Sequence, residues 1–194
     1  FASKALLTGA HMFNQSFLSS PHSDSDLIGE GMWNNYIHPY WSGGIRDRLY
    51  DTTSDLGGLS ITALSNAIGS GYNVILEYSH GFPQKWAIEW TGNPVDYYWN
   101  FFRKLNVPSS NGLQNKYGLL YSIACLTNYF GPSVNETPYP WSETDVTFDT
   151  VCLGTEFLNN EGGSVVYIGN TSFGIGNPAW TPESSFDNWG ASDD

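Results

Sequence analysis

Two stretches decide the fold of this 194-residue chain: Asn73-Val-Ile-Leu-Glu-Tyr-Ser-His80-Gly81 and Leu119-Leu-Tyr-Ser-Ile-Ala-Cys125. Each contains a short apolar run, which is typical of a strand buried in an α/β sheet. Each run is followed by a side chain that can take part in catalysis. Because consecutive parallel strands end at the same edge of a sheet, the sequence predicts that His80 and Cys125 are neighbours in space.

The segments around these two stretches alternate between strand-like and helix-like patterns. Apolar runs predict strands over residues 4–9, 72–78, 117–124 and 164–168. Apolar residues at helical spacing predict helices over 55–68, 95–105 and 151–160, whereas 29–44 has no clean period and is expected to be irregular. This alternation predicts a three-layer α/β/α sandwich with a mainly parallel sheet.

Composition excludes several classes of protein. Seven Lys and Arg face nineteen Asp and Glu, which gives a net charge of -12. That balance is too acidic for binding to phosphate backbones, so no nucleic-acid partner is expected. No apolar run is long enough for a membrane span. The low charged fraction (13%) and the many aromatic residues (16%) favour a folded protein that is secreted or at the cell surface.

A thiol beside an imidazole is the smallest nucleophile–base pair for acyl transfer. A neighbouring imidazolium stabilises the reactive thiolate, and the backbone N–H groups of Gly81 and Cys125 are candidates for an oxyanion hole. Taken alone, a cysteine at a strand end is more often a small buried residue than a nucleophile. The other cysteine, Cys152, precedes a helix and follows no strand, so we expect it to be structural.

The gingipain-type cysteine peptidases (peptidase family C25) have a hydrophobic block that ends in His-Gly, with a Trp downstream. Residues 73–81 followed by Trp86 resemble that block, and residues 119–125 resemble the family's second block, which ends in the nucleophile. Residues 152–172 are similar to the segment after it, where a helix leads into a Gly-rich turn and a strand. The resemblance implies a caspase-like sandwich and a cysteine endopeptidase that works through a Cys-His dyad and a thioester acyl-enzyme.

Carried over by position, the resemblance makes His80 the general base and acid and Cys125 the nucleophile, with Gly81 and Cys125 as oxyanion donors. The family also has an acid near its histidine. Either Asp24 or Asp26 fits that place, and the choice stays open, as does the alternative that both are solvated loop carboxylates.

Further expectations concern the surroundings of the site. Trp180 either walls a specificity pocket or belongs to the core. No cofactor is required and no metal ligands are assigned, although the resemblance allows Ca²⁺. The expected partner is a protein or peptide substrate. Residues 1–186 are expected to be one catalytic domain, accompanied by other domains of a longer chain, and residues 187–194 a flexible tail.

Three other functions stay open at this point. The aromatic content also suits an extracellular binding module that stacks on sugars or adheres to proteins. A degenerate peptidase-like domain would keep the fold without the activity. The family also includes a surface sortase, a transpeptidase with the same Cys-His pair.

Overall fold

A parallel sheet forms the centre of the fold. The structure is a computed structural model, which describes residues 4–10, 24–51, 55–90, 97–103, 107, 118–129, 151–160 and 163–171. The parallel sheet consists of β1 (Lys4–Gly9), β2 (Ile45–Tyr50), β3 (Val74–Tyr78), β7 (Leu119–Ile123) and β8 (Val166–Gly169). Its five strands lie in the order β2-β1-β3-β7-β8, and every neighbouring pair is parallel.

Helices cover both faces of this sheet. On one face, α1 (Asp24–Met32) packs Ile28 and Met32 against Leu7 and Leu76. The opposite face holds α2 (Ile61–Ser70) and α3 (Leu153–Asn159), whose apolar side chains pack against β1, β3 and β7. The predicted three-layer α/β/α sandwich with a mainly parallel sheet is therefore confirmed.

The first residue of α2 differs from the prediction. Residues 55–60 are not helical, and Gly57 has φ +94°, a left-handed conformation that does not continue into a helix. The helix begins after Ser60, whose Oγ accepts a hydrogen bond from the backbone N–H of Ala63 at 3.1 Å. It ends at Gly71, which has φ +80°.

The prediction of a helix over residues 95–105 is wrong. A small antiparallel sheet follows β3 directly, and it consists of β4 (His80–Phe82), β5 (Lys85–Trp90) and β6 (Tyr97–Arg103). The β6 segment is mostly aromatic, and aromatic residues favour strands when a partner strand is present. Pairing with β5 therefore makes this segment a strand, although its apolar residues are spaced as in a helix.

The stretch 29–44 is more regular than predicted. Helix α1 extends to Met32 and continues as a π-helical turn over Trp33–Ile37. Strand β2 was not predicted at all. It contains three consecutive charged residues and lies at the edge of the sheet, and its Arg46 and Arg48 each lie 2.7 Å from Glu30 of α1. No helix among the described residues is long and apolar enough to cross a bilayer.

Candidate active site

The pairing of β3 with β7 brings the two predicted catalytic segments to one edge of the sheet. Tyr78 is in register with Ile123, and the next residue, Ser79, donates its N–H to the Ile123 carbonyl at 3.3 Å. The two strands therefore end at the same level of the sheet. His80 follows one of them and Cys125 follows the other. Both residues are partly exposed.

Gly81 lies directly against the backbone of Cys125. A β-carbon at residue 81 would lie 2.6 Å from the Cys125 nitrogen and 2.7 Å from the Ala124 carbonyl carbon, and it would also meet the Cys125 carbonyl oxygen. These are backbone atoms, so no side-chain movement can make room. Only glycine allows the chain after the histidine to come this close to the cysteine.

A tight turn follows Cys125. Leu126 has φ +58°, and it is the only residue other than glycine with a positive φ in the described part of the chain. The turn is closed by the Tyr129 N–H, which donates to the Leu126 carbonyl at 3.0 Å, and by Thr127 Oγ1, which donates to the Ala124 carbonyl at 3.2 Å. A left-handed conformation at a leucine costs about 1 kcal/mol or more, and such strain is concentrated at functional sites.

The first turn of α3 is hydrogen-bonded both to the segment after His80 and to the segment after Cys125. The Leu153 N–H donates to the Pro83 carbonyl at 2.6 Å, in the turn after His80-Gly81, and the Gly154 N–H donates to the Thr127 carbonyl at 2.8 Å. From the far side, the Asn128 N–H donates to the Asn170 carbonyl at 3.0 Å. The segments that carry the histidine and the cysteine are thus held by the same helix.

Neither cysteine is in a disulfide bond. Cys152 is buried at the start of α3, and its Sγ lies 3.1 Å from Thr155 Oγ1. Its surroundings fit the structural role expected for it. Cys125, by contrast, is a partly exposed residue at the sheet edge.

The two candidate acids lie at the start of α1. Asp24 is the first residue of this helix, which packs on β1 and β3. The side chain of Asp26 is buried, and its charge helps to raise the pKa of Tyr50, after the larger effects of burial and of Glu30. The role of either acid beside His80 stays a prediction. Trp180 and the tail 187–194 lie outside the described residues.

A buried polar cluster behind the edge was not predicted. Trp86 Nε1 donates to Ser122 Oγ at 2.9 Å, and Ser122 Oγ donates to Glu77 Oε2 at 2.5 Å. Burial raises the pKa of Glu77 to about 8, although hydrogen bonds with Ser122 and Ser79 act to lower it. The available signal was the single glutamate inside an otherwise apolar strand, three residues before the histidine.

Metal binding gains no support from the clustering of side chains. In the ranges that the structure describes, no group of three or more His, Cys, Asp and Glu residues is arranged to hold a metal ion. Calcium therefore remains only an expectation from the resemblance.

Comparison with known proteins agrees with this geometry. The fold and the edge define an α/β protein with a histidine and a cysteine at adjacent strand ends. The family described as peptidase family C25 matches residues 12–189, most of the chain. The chain therefore belongs to peptidase family C25, a family of cysteine peptidases. No curated protein matches it.

Proposed function

We propose that this chain is the catalytic unit of a cysteine endopeptidase in which Cys125 is the nucleophile and His80 carries the proton. One observation carries the proposal: the Gly81 backbone lies in van der Waals contact with the Cys125 backbone, at the edge where two adjacent parallel strands end. This contact brings two segments together that are far apart in the sequence. Their side chains are the pair that acyl transfer to a thiol requires.

In the first half of the reaction, His80 takes the proton of the Cys125 thiol, and the thiolate attacks the carbonyl carbon of the scissile peptide bond. A C–S bond forms and the carbonyl oxygen becomes an oxyanion, for which the N–H groups of Gly81 and Cys125 are the proposed donors. When the intermediate collapses, the C–N bond breaks. The departing amine takes the proton from the His80 imidazolium, and a thioester remains.

In the second half, His80 takes a proton from water, and the resulting hydroxide attacks the thioester carbonyl. The C–S bond breaks, the carboxylic acid leaves, and the Cys125 sulfur regains its proton from His80. The close approach of the Gly81 and Cys125 backbones supports this sequence of steps, because N–H groups that are held by packing need little reorganisation as an oxyanion forms.

The proposal also covers groups beside the dyad and the setting in which the enzyme works. Asp24 or Asp26 orients the His80 ring, since an imidazole base works best when its second nitrogen is held. Trp180 walls a pocket for the substrate side chain. The enzyme works outside the cytoplasm on proteins or peptides, together with further domains, and a bound Ca²⁺ is compatible with its acidic composition.

The test is a set of single substitutions assayed on a peptide library. Cys125→Ala is expected to abolish hydrolysis while the circular dichroism spectrum is unchanged, because a small side chain replaces a partly exposed thiol. His80→Ala is expected to lower kcat/KM by roughly 10²-fold or more. Cys152→Ala is the matched control, since it removes the other thiol and should leave kcat/KM unchanged.

A peptidyl thiol-directed inhibitor completes the test. Mass spectrometry should find the inhibitor attached to Cys125 in the wild type and absent in His80→Ala over the same time. If the wild type hydrolyses no peptide and Cys125 is not labelled, the proposal is wrong, and a binding module or an inactive homologue becomes the better interpretation.

A further inference from the structure

The Ala124 carbonyl and the Cys125 N–H belong to one peptide group. Because that group is planar, with its oxygen and its N–H pointing in opposite directions, the direction of one end fixes the direction of the other. The N–H end is one of the two proposed oxyanion donors. The contacts of the carbonyl end therefore determine where this donor points.

Gly81 packs against this peptide group. A β-carbon at residue 81 would lie 2.7 Å from the Ala124 carbonyl carbon and 2.6 Å from the Cys125 nitrogen. Packing of this kind restricts the position of the peptide group. A hydrogen bond to its oxygen also restricts its rotation, because such bonds have a preferred direction.

The hydroxyl of Thr127 makes that hydrogen bond. Thr127 Oγ1 donates to the Ala124 carbonyl oxygen at 3.2 Å, and the residue is fully buried. At a position closed to solvent, water does not compete for the carbonyl. A peptide oxygen that accepts a bond also polarises its own group, which makes the N–H at the other end a stronger donor.

Thr127 is itself held by two other elements. Its carbonyl accepts a hydrogen bond from the Gly154 N–H of α3 at 2.8 Å. A β-carbon at residue 169, the end of β8, would lie 3.0 Å from Thr127 Oγ1, so this strand packs closely against the hydroxyl. These contacts fix Thr127 directly after Leu126, the residue with the left-handed φ of +58°.

We propose that Thr127 is a positioning residue, which orients the Cys125 N–H toward the oxyanion through its hydrogen bond to the Ala124 carbonyl. The inference rests on the proposed function, since it assigns a role in the same site. Thr127 touches no reacting atom. Each half of the reaction passes through an intermediate with a negative oxygen, so Thr127 acts on whichever half limits kcat.

The test compares substitutions of Thr127 on a peptide that the library identifies as a substrate. Thr127→Val keeps the shape of the side chain and removes the hydroxyl. It should lower kcat roughly five- to tenfold with KM unchanged, because the orientation of the donor matters only in the transition state. Thr127→Ser and Thr127→Ala both lack the methyl group and differ in the hydroxyl, so the serine variant should have the higher kcat by a similar factor.

Thr8→Val is the matched control. Thr8 is also buried, and its hydroxyl donates to the Leu49 carbonyl at 2.9 Å, within the same parallel sheet. The substitution therefore removes the same kind of bond away from Cys125, and it should leave kcat unchanged.

Alkylation of Cys125 by iodoacetamide separates positioning of the donor from a general disturbance of the site. In that reaction the thiolate displaces iodide from a saturated carbon, and no carbonyl oxygen becomes an oxyanion. Thr127→Val should therefore be alkylated at a rate within about twofold of the wild type. A displaced thiol would instead slow both reactions.

The possible results decide between these roles. Equal kcat values for Thr127→Val and the wild type, or for the serine and alanine variants, overturn the inference and leave the proposed function intact. A parallel fall of kcat and of the alkylation rate makes Thr127 a merely structural residue, which also overturns it. If the valine variant does not fold, the ratio of the serine to the alanine variant decides. A wild type that cleaves no peptide overturns the proposed function and this inference together.

Discussion

Replacing Glu77 with glutamine should change how the stability of the protein depends on pH. The pKa of Glu77 is raised from 4.5 to about 8 by burial. Since each pKa unit corresponds to about 1.4 kcal/mol, ionising this group in the folded state costs roughly 5 kcal/mol. That is as large as the whole stability of many domains.

The direction in which stability changes with pH follows from proton binding. The folded state holds the Glu77 proton more tightly than the unfolded state does, so the contribution of this group to stability is fully present below pH 4.5. The contribution is lost as the pH rises through about 8, and above that value it no longer changes. Glutamine does not titrate, so the variant lacks this dependence.

The assay is urea unfolding of both proteins at several values between about pH 5 and pH 9. The free energy of unfolding of the wild type, minus that of Glu77→Gln, should fall by about 1.4 kcal/mol for each pH unit up to about pH 8 and then level off. Subtracting the two curves removes the contribution of every other titrating group. A constant difference across this range would mean that Glu77 is already ionised in the folded protein, which would refute the reasoning.

Three further substitutions test the geometry of the edge. Gly81→Ala should lower kcat/KM roughly 10²-fold, because its β-carbon displaces the Cys125 backbone; wild-type kinetics would contradict the close contact. Leu126→Val should reduce the free energy of unfolding by about 1–2 kcal/mol, whereas Leu126→Asn, which tolerates a positive φ, should cost less; equal effects in urea unfolding would speak against the left-handed turn. Cys152→Ala should cost about 1 kcal/mol of stability and leave kcat/KM unchanged; lost activity would give this thiol a role in the site.

The parallel sheet could be predicted from the sequence because its buried strands are continuous apolar runs. The strands predicted over 72–78 and 117–124 are present as β3 and β7, side by side. Strand β6 could not be predicted in this way, because its structure depends on pairing with β5 and not on its own periodicity. The same holds for β2, because the ion pairs of Arg46 and Arg48 with Glu30 of α1 are not visible in a local sequence pattern.

The site shows the same division between local and non-local information. The proximity of the segments that carry His80 and Cys125 follows from the rule that parallel strands end at one edge, so it could be inferred from the sequence alone. The left-handed Leu126 could not, since leucine gives no sequence signal for that conformation. The hydrogen-bond partner of Glu77 is Ser122 of another strand, which in turn accepts from Trp86 of a third strand, and only the assembled fold reveals these contacts.

The hydrogen bonds in which Leu153 and Gly154 donate and the Asn170 carbonyl accepts have a consequence for biosynthesis. They complete the surroundings of Cys125 with residues that leave the ribosome after it. A nascent or truncated chain that stops before Leu153 already contains both the histidine and the thiol, yet it lacks all three of these bonds to their turns. The order of translation therefore delays assembly of this edge of the sheet until nearly the whole sandwich has been made.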